Sequence, residues 1–174
     1  KRTNSPGAIH YTAFEIRYGI EELLFELLVL TKNGLEEKEY KRCIGDPNAM
    51  RKMLEHQDVT YSKLLTFTQI AMNLDTRPEK PNLRYWELKE LFKFWGKASS
   101  YLHFCGLHKA TYDSDEWVIK ALSELDEISS IFWKSATETV GFGLLAPAKM
   151  KPAAAQIWTD FKEDRITIED VKAR

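Results

Sequence analysis

The chain has 174 residues, 44% of them hydrophobic and 12% aromatic, so it folds rather than stays disordered and is long enough to bury a real core. Its 25 basic and 26 acidic residues leave a net charge of −1, which excludes a general nucleic-acid coat but leaves room for a local basic patch. Cys43 and Cys105 provide no disulfide framework, no secretory pattern occurs, and the richest apolar stretch, Ile20 to Leu30, is broken by three glutamates, so a cytoplasmic domain with no membrane association is expected.

Ser5-Pro6 reads as an N-cap followed by a first-turn proline. From there Ile9, Phe14, Ile16, Ile20, Leu23, Leu24, Leu27 and Leu28 keep a helical period, which Asn33-Gly34 stops. Asp46-Pro47 starts a second helix with a modest apolar side of Met50, Met53 and Leu54. Asp58 is the expected cap of the next, which buries Leu64, Leu65, Phe67, Ile70, Ala71 and Leu74. Prolines 78 and 81 forbid a continuous helix through 75–82.

The stretch 84–105 then reads as one long helix with apolar residues on more than one side. Leu88, Leu91, Phe92, Trp95, Ala98 and Leu102 form one stripe, and Phe94, Tyr101 and Cys105 lie on a second face. Gly96, Ala98, Ser99 and Ser100 are small enough to admit a neighbouring backbone. Asp113-Ser-Asp-Glu116 offers a capping-box start for a helix to residue 138, with the stripe Val118, Ala121, Leu122, Leu125, Ile128 and Phe132. Ala146 to Pro152 reads as a linker, and two short helices close the chain, the second capped by Thr167. The spacing predicts an all-α, antiparallel bundle of about four core helices (near 8–32, 58–74, 84–105 and 114–138) plus a short C-terminal helical appendage. The domain reading is a bundle over 1–145 and a linker with a docking segment over 146–174, where Trp158 and Phe161 pack on the bundle or on a partner. A chain that starts without Met is also expected to be part of a longer protein.

His103, near the end of the multi-faced helix, is the candidate for chemistry. Ser99 lies four residues back and Ser100 three, so either hydroxyl can reach the imidazole, and Lys97 supplies a cation on the same helix. An imidazole that shuttles a proton from a ribose 2′-hydroxyl, with a cation beside the phosphorane, is the minimal equipment for metal-independent RNA cleavage. The default for a lone histidine in an apolar helix is a structural one, capping the helix or satisfying a buried carbonyl. A serine-nucleophile triad fits worse, because mid-helix serines are not on a strained turn. Metal ligation is disfavoured: His103, Cys105 and His108 do not share one helical face, and no second pair completes a tetrahedral site. The acidic tail 160–170 lacks calcium-loop spacing, and no cofactor is implied. Glu15, Glu22 and Glu26 form a solvated face of the first helix that could still lend a carboxylate to orient a histidine.

The pairing of the early helix Ile16-Arg-Tyr-Gly-Ile-Glu-Glu-Leu-Leu-Phe-Glu-Leu-Leu28 with the later Phe94-Trp-Gly-Lys-Ala-Ser-Ser-Tyr-Leu-His-Phe104 resembles the HEPN superfamily, over roughly residues 8 to 140. That resemblance implies a helical-bundle domain of prokaryotic toxin and antiviral-defence systems. It implies a homodimer whose two motifs meet at the interface, RNA as the substrate class, and an antitoxin or a further domain as partner. The superfamily's ribonucleases carry an Arg four to six residues before a His. Here Lys97 stands in the Arg place, followed by apolar Ala98, and a lysine lacks the planar fork that grips a phosphate. Arg51 and His56 match the bare spacing on a short charged helix and read as a coincidence. The departure favours a dimerising, partner-binding module over an active endoribonuclease using Lys97 and His103, with an architectural domain of a larger protein as the third reading.

Overall fold

A computed structural model describes residues 6–75, 84–102, 115–138 and 144–173. Among them the chain is all-α: α1 (Pro6–Lys32), α2 (Glu37–Gly45), α3 (Pro47–His56), α4 (Asp58–Leu74), α5 (Leu88–Leu102), α6 (Asp115–Glu138), α7 (Pro152–Lys162) and α8 (Ile168–Ala173), with a 3-10 turn at Pro147–Lys149. The chain divides into two compact units, one of Lys1–Leu23 with Trp86–Glu138 and one of Leu24–Tyr85 with Thr139–Arg174. α1 supplies its first two thirds to one unit and its last third to the other.

The first unit is three helices. Ile9 and Ala13 of α1, Tyr101 of α5 and Ala121 and Leu125 of α6 are buried together, with Trp117 packed against them. Tyr101 meets Trp117 edge-on at 6.0 Å between centroids, while Phe94 meets Phe132 at 6.3 Å. The end of α5 therefore lies beside the start of α6, and the two run antiparallel. Trp95 bonds Glu21, whereas Tyr101 shares a cluster with Ile9, so α5 is antiparallel to α1 as well. Trp86, just before α5, is 2% exposed and stacks on Phe132 at 4.8 Å. Residues 84–87 are not helical, so the expected helix over 84–105 starts four residues later, at Leu88. Its expected end lies outside the described residues, as does the Asp113-Ser114 cap of α6.

The second unit is built on α4. Leu64, Phe67 and Ile70 are buried with Trp158 and Phe161 of α7 and Val171 of α8. Phe67 lies 5.5 Å from the Trp158 ring and 6.4 Å from Phe161. Lys63 donates to the Lys162 carbonyl at 2.9 Å and pairs with Asp164 at 2.6 Å, which makes α7 antiparallel to α4. Thr68, 1% exposed, donates to the Leu64 carbonyl at 2.7 Å and accepts the Leu145 N–H at 3.1 Å. The hydroxyl thereby ties the connection before α7 to α4.

Helix ends follow local chemistry. Asn33, at φ 59°, and Gly34, at φ 116°, close α1: the Gly34 N–H reaches the Val29 carbonyl and the Asn33 N–H that of Leu30. Asp164, at φ 58°, ends α7 in the same way, the Arg165 N–H returning to the Asp160 carbonyl at 2.8 Å. Asp46 accepts the Asn48 N–H at 2.9 Å and Pro47 opens α3. Thr167 and Asp170 cap α8 reciprocally. Asp58 does not cap α4: Gln57 occupies that position, and Asp58 lies in the first turn, where its charge complements the helix dipole. The helix α2 is additional to the sequence reading. Its nine residues, Glu-Lys-Glu-Tyr-Lys-Arg-Cys-Ile-Gly, carry too few apolar side chains to announce a stripe. Among the described residues no helix is long and apolar enough to cross a membrane.

Candidate functional site

α5 is amphipathic rather than apolar all round. Leu88, Leu91, Phe94, Ala98, Ser99 and Tyr101 are buried; Lys89, Lys93, Gly96 and Ser100 are exposed. Gly96 does not admit a neighbouring backbone, because a Cβ there would meet nothing within 4 Å. Ala98 and Ser99 are the small residues in the interior.

The four residues singled out on this helix are treated differently by the fold. His103 lies outside the described residues. The Ser99 hydroxyl is buried and has no hydrogen-bond partner among the described residues. Ser100 is exposed and donates its hydroxyl to the Lys97 carbonyl at 2.7 Å, so its proton is committed to its own helix. The Lys97 ammonium lies 4.0 Å from a Glu127 carboxylate on α6, at the outer limit of an ion pair, and its side chain is 30% exposed. A carboxylate already beside the lysine weakens it as a phosphate cation.

A polar cluster between α1 and α5 involves none of the four. Arg17 Nε donates to Glu21 Oε1 at 2.8 Å, Trp95 Nε1 donates to the same oxygen at 2.9 Å, and the guanidinium lies over the Trp95 ring at 5.2 Å from its centroid. One carboxylate oxygen thus fixes the register of α5 against α1, one turn before Ser99. Sequence reading missed Glu21 and pointed to Glu15, Glu22 and Glu26. Those three are exposed, and the carboxylates of Glu15 and Glu22 lie beside Tyr11 and Tyr18, whose phenols they raise above the ordinary tyrosine range. The signal was present as an Arg-Glu pair four residues apart on a helix, the spacing that joins side chains on one face.

Tyr101 is a second buried polar group of this unit. Its hydroxyl donates to Glu124 at 2.8 Å, and burial, helped by that carboxylate, raises the phenol far above its usual range.

Arg51 and His56 do not assemble. Arg51 pairs with Glu55 at 2.8 Å, and five residues along a helix place Arg51 and His56 roughly 140° apart around it. His56 instead lines a cleft formed by the end of α1 with α2 and α3. The free thiol of Cys43 is 5% exposed, and burial raises it above the usual thiol range. His103, Cys105 and His108 all lie outside the described residues, among which no group of three His, Cys, Asp or Glu side chains could hold a metal ion.

The outward side of α1 is unusual. Tyr11 is 68% exposed, and Phe14 and Tyr18 are each 54% exposed. These three aromatics fall at i, i+3 and i+7, one continuous stripe, and the Phe14 and Tyr18 rings stack at 6.4 Å. No protein-family model, curated protein or solved structure matches this chain.

Proposed function

We propose that the chain is a HEPN-like helical module that works by pairing with a second copy of itself and presenting the pair to a partner. The aromatic stripe of α1 is the contact surface, and its exposure is the observation that supports this reading. Single exposed apolar residues are ordinary, but a contiguous aromatic patch marks an interaction site. The stripe is suited to a two-fold axis: antiparallel pairing through Phe14 sets Tyr11 of each copy against Tyr18 of the other. With 54–68% of each still exposed, the three aromatics can bury roughly 260–440 Å² per protomer. That is below the usual share of about 800 Å² for a stable complex, and corresponds to a weak, reversible dimer. On α5, by contrast, Leu88, Leu91, Phe94, Ala98 and Tyr101 are already buried.

Sedimentation velocity tests this. The full chain should dimerise at micromolar concentration, and Phe14→Glu should leave a monomer with unchanged helical circular dichroism. A wild-type monomer throughout that range defeats the proposal.

A second reading, a metal-independent endoribonuclease acting through His103 with Lys97 as cation, draws support from the buried Ser99 hydroxyl four residues before that histidine. RNA incubated in EDTA with wild type and His103→Ala decides it: cleavage by wild type alone supports the enzyme, and no cleavage by either removes it.

A further inference from the structure

We infer that the cleft between the end of α1, α2 and α3 is a binding site for a small phosphorylated molecule. The cleft has a volume of about 370 Å³, and Lys32, Arg42, Lys52 and His56 line it with a single carboxylate, Glu39. That size falls at the lower end for small-ligand pockets, which begin at about 300 Å³. Glu39 is already neutralised, since Lys32 pairs with it and holds its carboxyl below the usual range. Arg42, Lys52 and His56 have no ion-pair partner among the described residues. In a chain of net charge −1, the cations Arg42 and Lys52 around one cleft are an imbalance that an anion would correct, with the His56 ring as a further polar group beside them.

Helix dipoles explain part of the pattern. Lys32 and Arg42 stand in the last turns of α1 and α2, where a cation offsets the carbonyl end of its own helix. That accounts for their sign but not for Lys52, which is in the middle of α3, nor for the convergence of all four on one cleft. Met53, half-buried, adds an apolar wall. The chemistry matches a phosphate group gripped by Arg42 and Lys52, attached to a body with some apolar surface. The site lies wholly in the second unit, apart from the α1 stripe, so dimerisation and this binding fail or succeed separately.

Isothermal titration of the full chain with inorganic pyrophosphate, adenosine 5′-monophosphate and adenosine tests the site. Both phosphorylated probes should bind with one site per chain, and adenosine should not. The double variant Arg42→Gln/Lys52→Gln should weaken binding by about tenfold or more, the scale of one lost charge-assisted hydrogen bond. Glu39→Gln should tighten it by removing the one negative charge. Lys149→Gln, an exposed cation away from the cleft, should change nothing. Absence of binding by either phosphorylated probe overturns the inference, as does equal weakening by Lys149→Gln. A single-stranded RNA that binds where neither small probe does overturns it in favour of a polymer surface.

Discussion

Replacing Ser99 with alanine should stabilise the protein. The side chain is buried and its oxygen has no partner among the described residues, so folding strips water from a hydroxyl without compensation. An unsatisfied buried polar group costs about 1–3 kcal/mol, and alanine is the better helix former by up to about 0.5 kcal/mol. The oxygen's own van der Waals contacts, at about 0.1–0.2 kcal/mol per atom pair, offset part of that gain. A net stabilisation of roughly 1–2 kcal/mol follows, which for a protein of this size raises Tm by about 2–8 °C. Calorimetry and urea titration of wild type and Ser99→Ala provide the comparison. A lower Tm in the variant would refute the reasoning: the hydroxyl would then have a working partner, and His103, four residues later in the sequence, is the group to examine. A double-mutant cycle between Ser99→Ala and His103→Ala would measure that coupling directly.

The C-terminal segment gives a second test: Trp158→Ala should cost about 3–5 kcal/mol in urea unfolding, because a 5% exposed indole against Phe67 leaves a large cavity. Thr68→Val should cost about 1–3 kcal/mol by orphaning the Leu145 N–H, while Thr68→Ser keeps the donor and acceptor and loses less. For Tyr101, the unfolded phenol ionises near pH 10 and the folded one only far above it, so the unfolded state loses its proton first. Stability should therefore fall as pH rises beyond about 10. Glu124→Gln, which removes one cause of the raised folded value, should make that fall shallower without moving its onset, read as urea midpoints across the alkaline range.

The long helices were legible because their apolar residues recur at helical spacing and their stops are local. Asn33-Gly34, Asp46-Pro47 and Thr167 act within a few residues of themselves, so the sequence alone exposes them. The start of α5 was not legible, because Trp86 continues the apolar pattern while its burial comes from stacking on Phe132, 46 residues away. The same holds for Glu21: Arg17 four residues before it marks an ion pair, but its link to α5 depends on Trp95 arriving from another helix. α2 escaped because only Tyr40, Cys43 and Ile44 are apolar among its nine residues, while its start is fixed by a cap in which the Glu39 carboxylate accepts the Glu36 N–H. Around the candidate histidine, the serines at 99 and 100 looked equivalent by spacing. They differ because one is buried with no partner among the described residues and the other turns outward into its own backbone.

The sharing of α1 between the two units has a consequence for biosynthesis. Neither unit is a continuous stretch of polypeptide: each takes two segments, interleaved along the chain. A ribosome releases α1 to α4 before any of α5 to α8 exists, so the face of α4 that carries Leu64, Phe67 and Ile70 emerges without Trp158 and Phe161 to cover it. The first unit can close once α6 has left the exit tunnel, but the second must wait for the last twenty or so residues. Through that interval a nascent chain exposes apolar surface of the kind that recruits chaperones and aggregates. Truncation behaves likewise: stopping the chain after α6 removes Trp158 and Phe161 from the face of α4 and yields half of a protein rather than a smaller one.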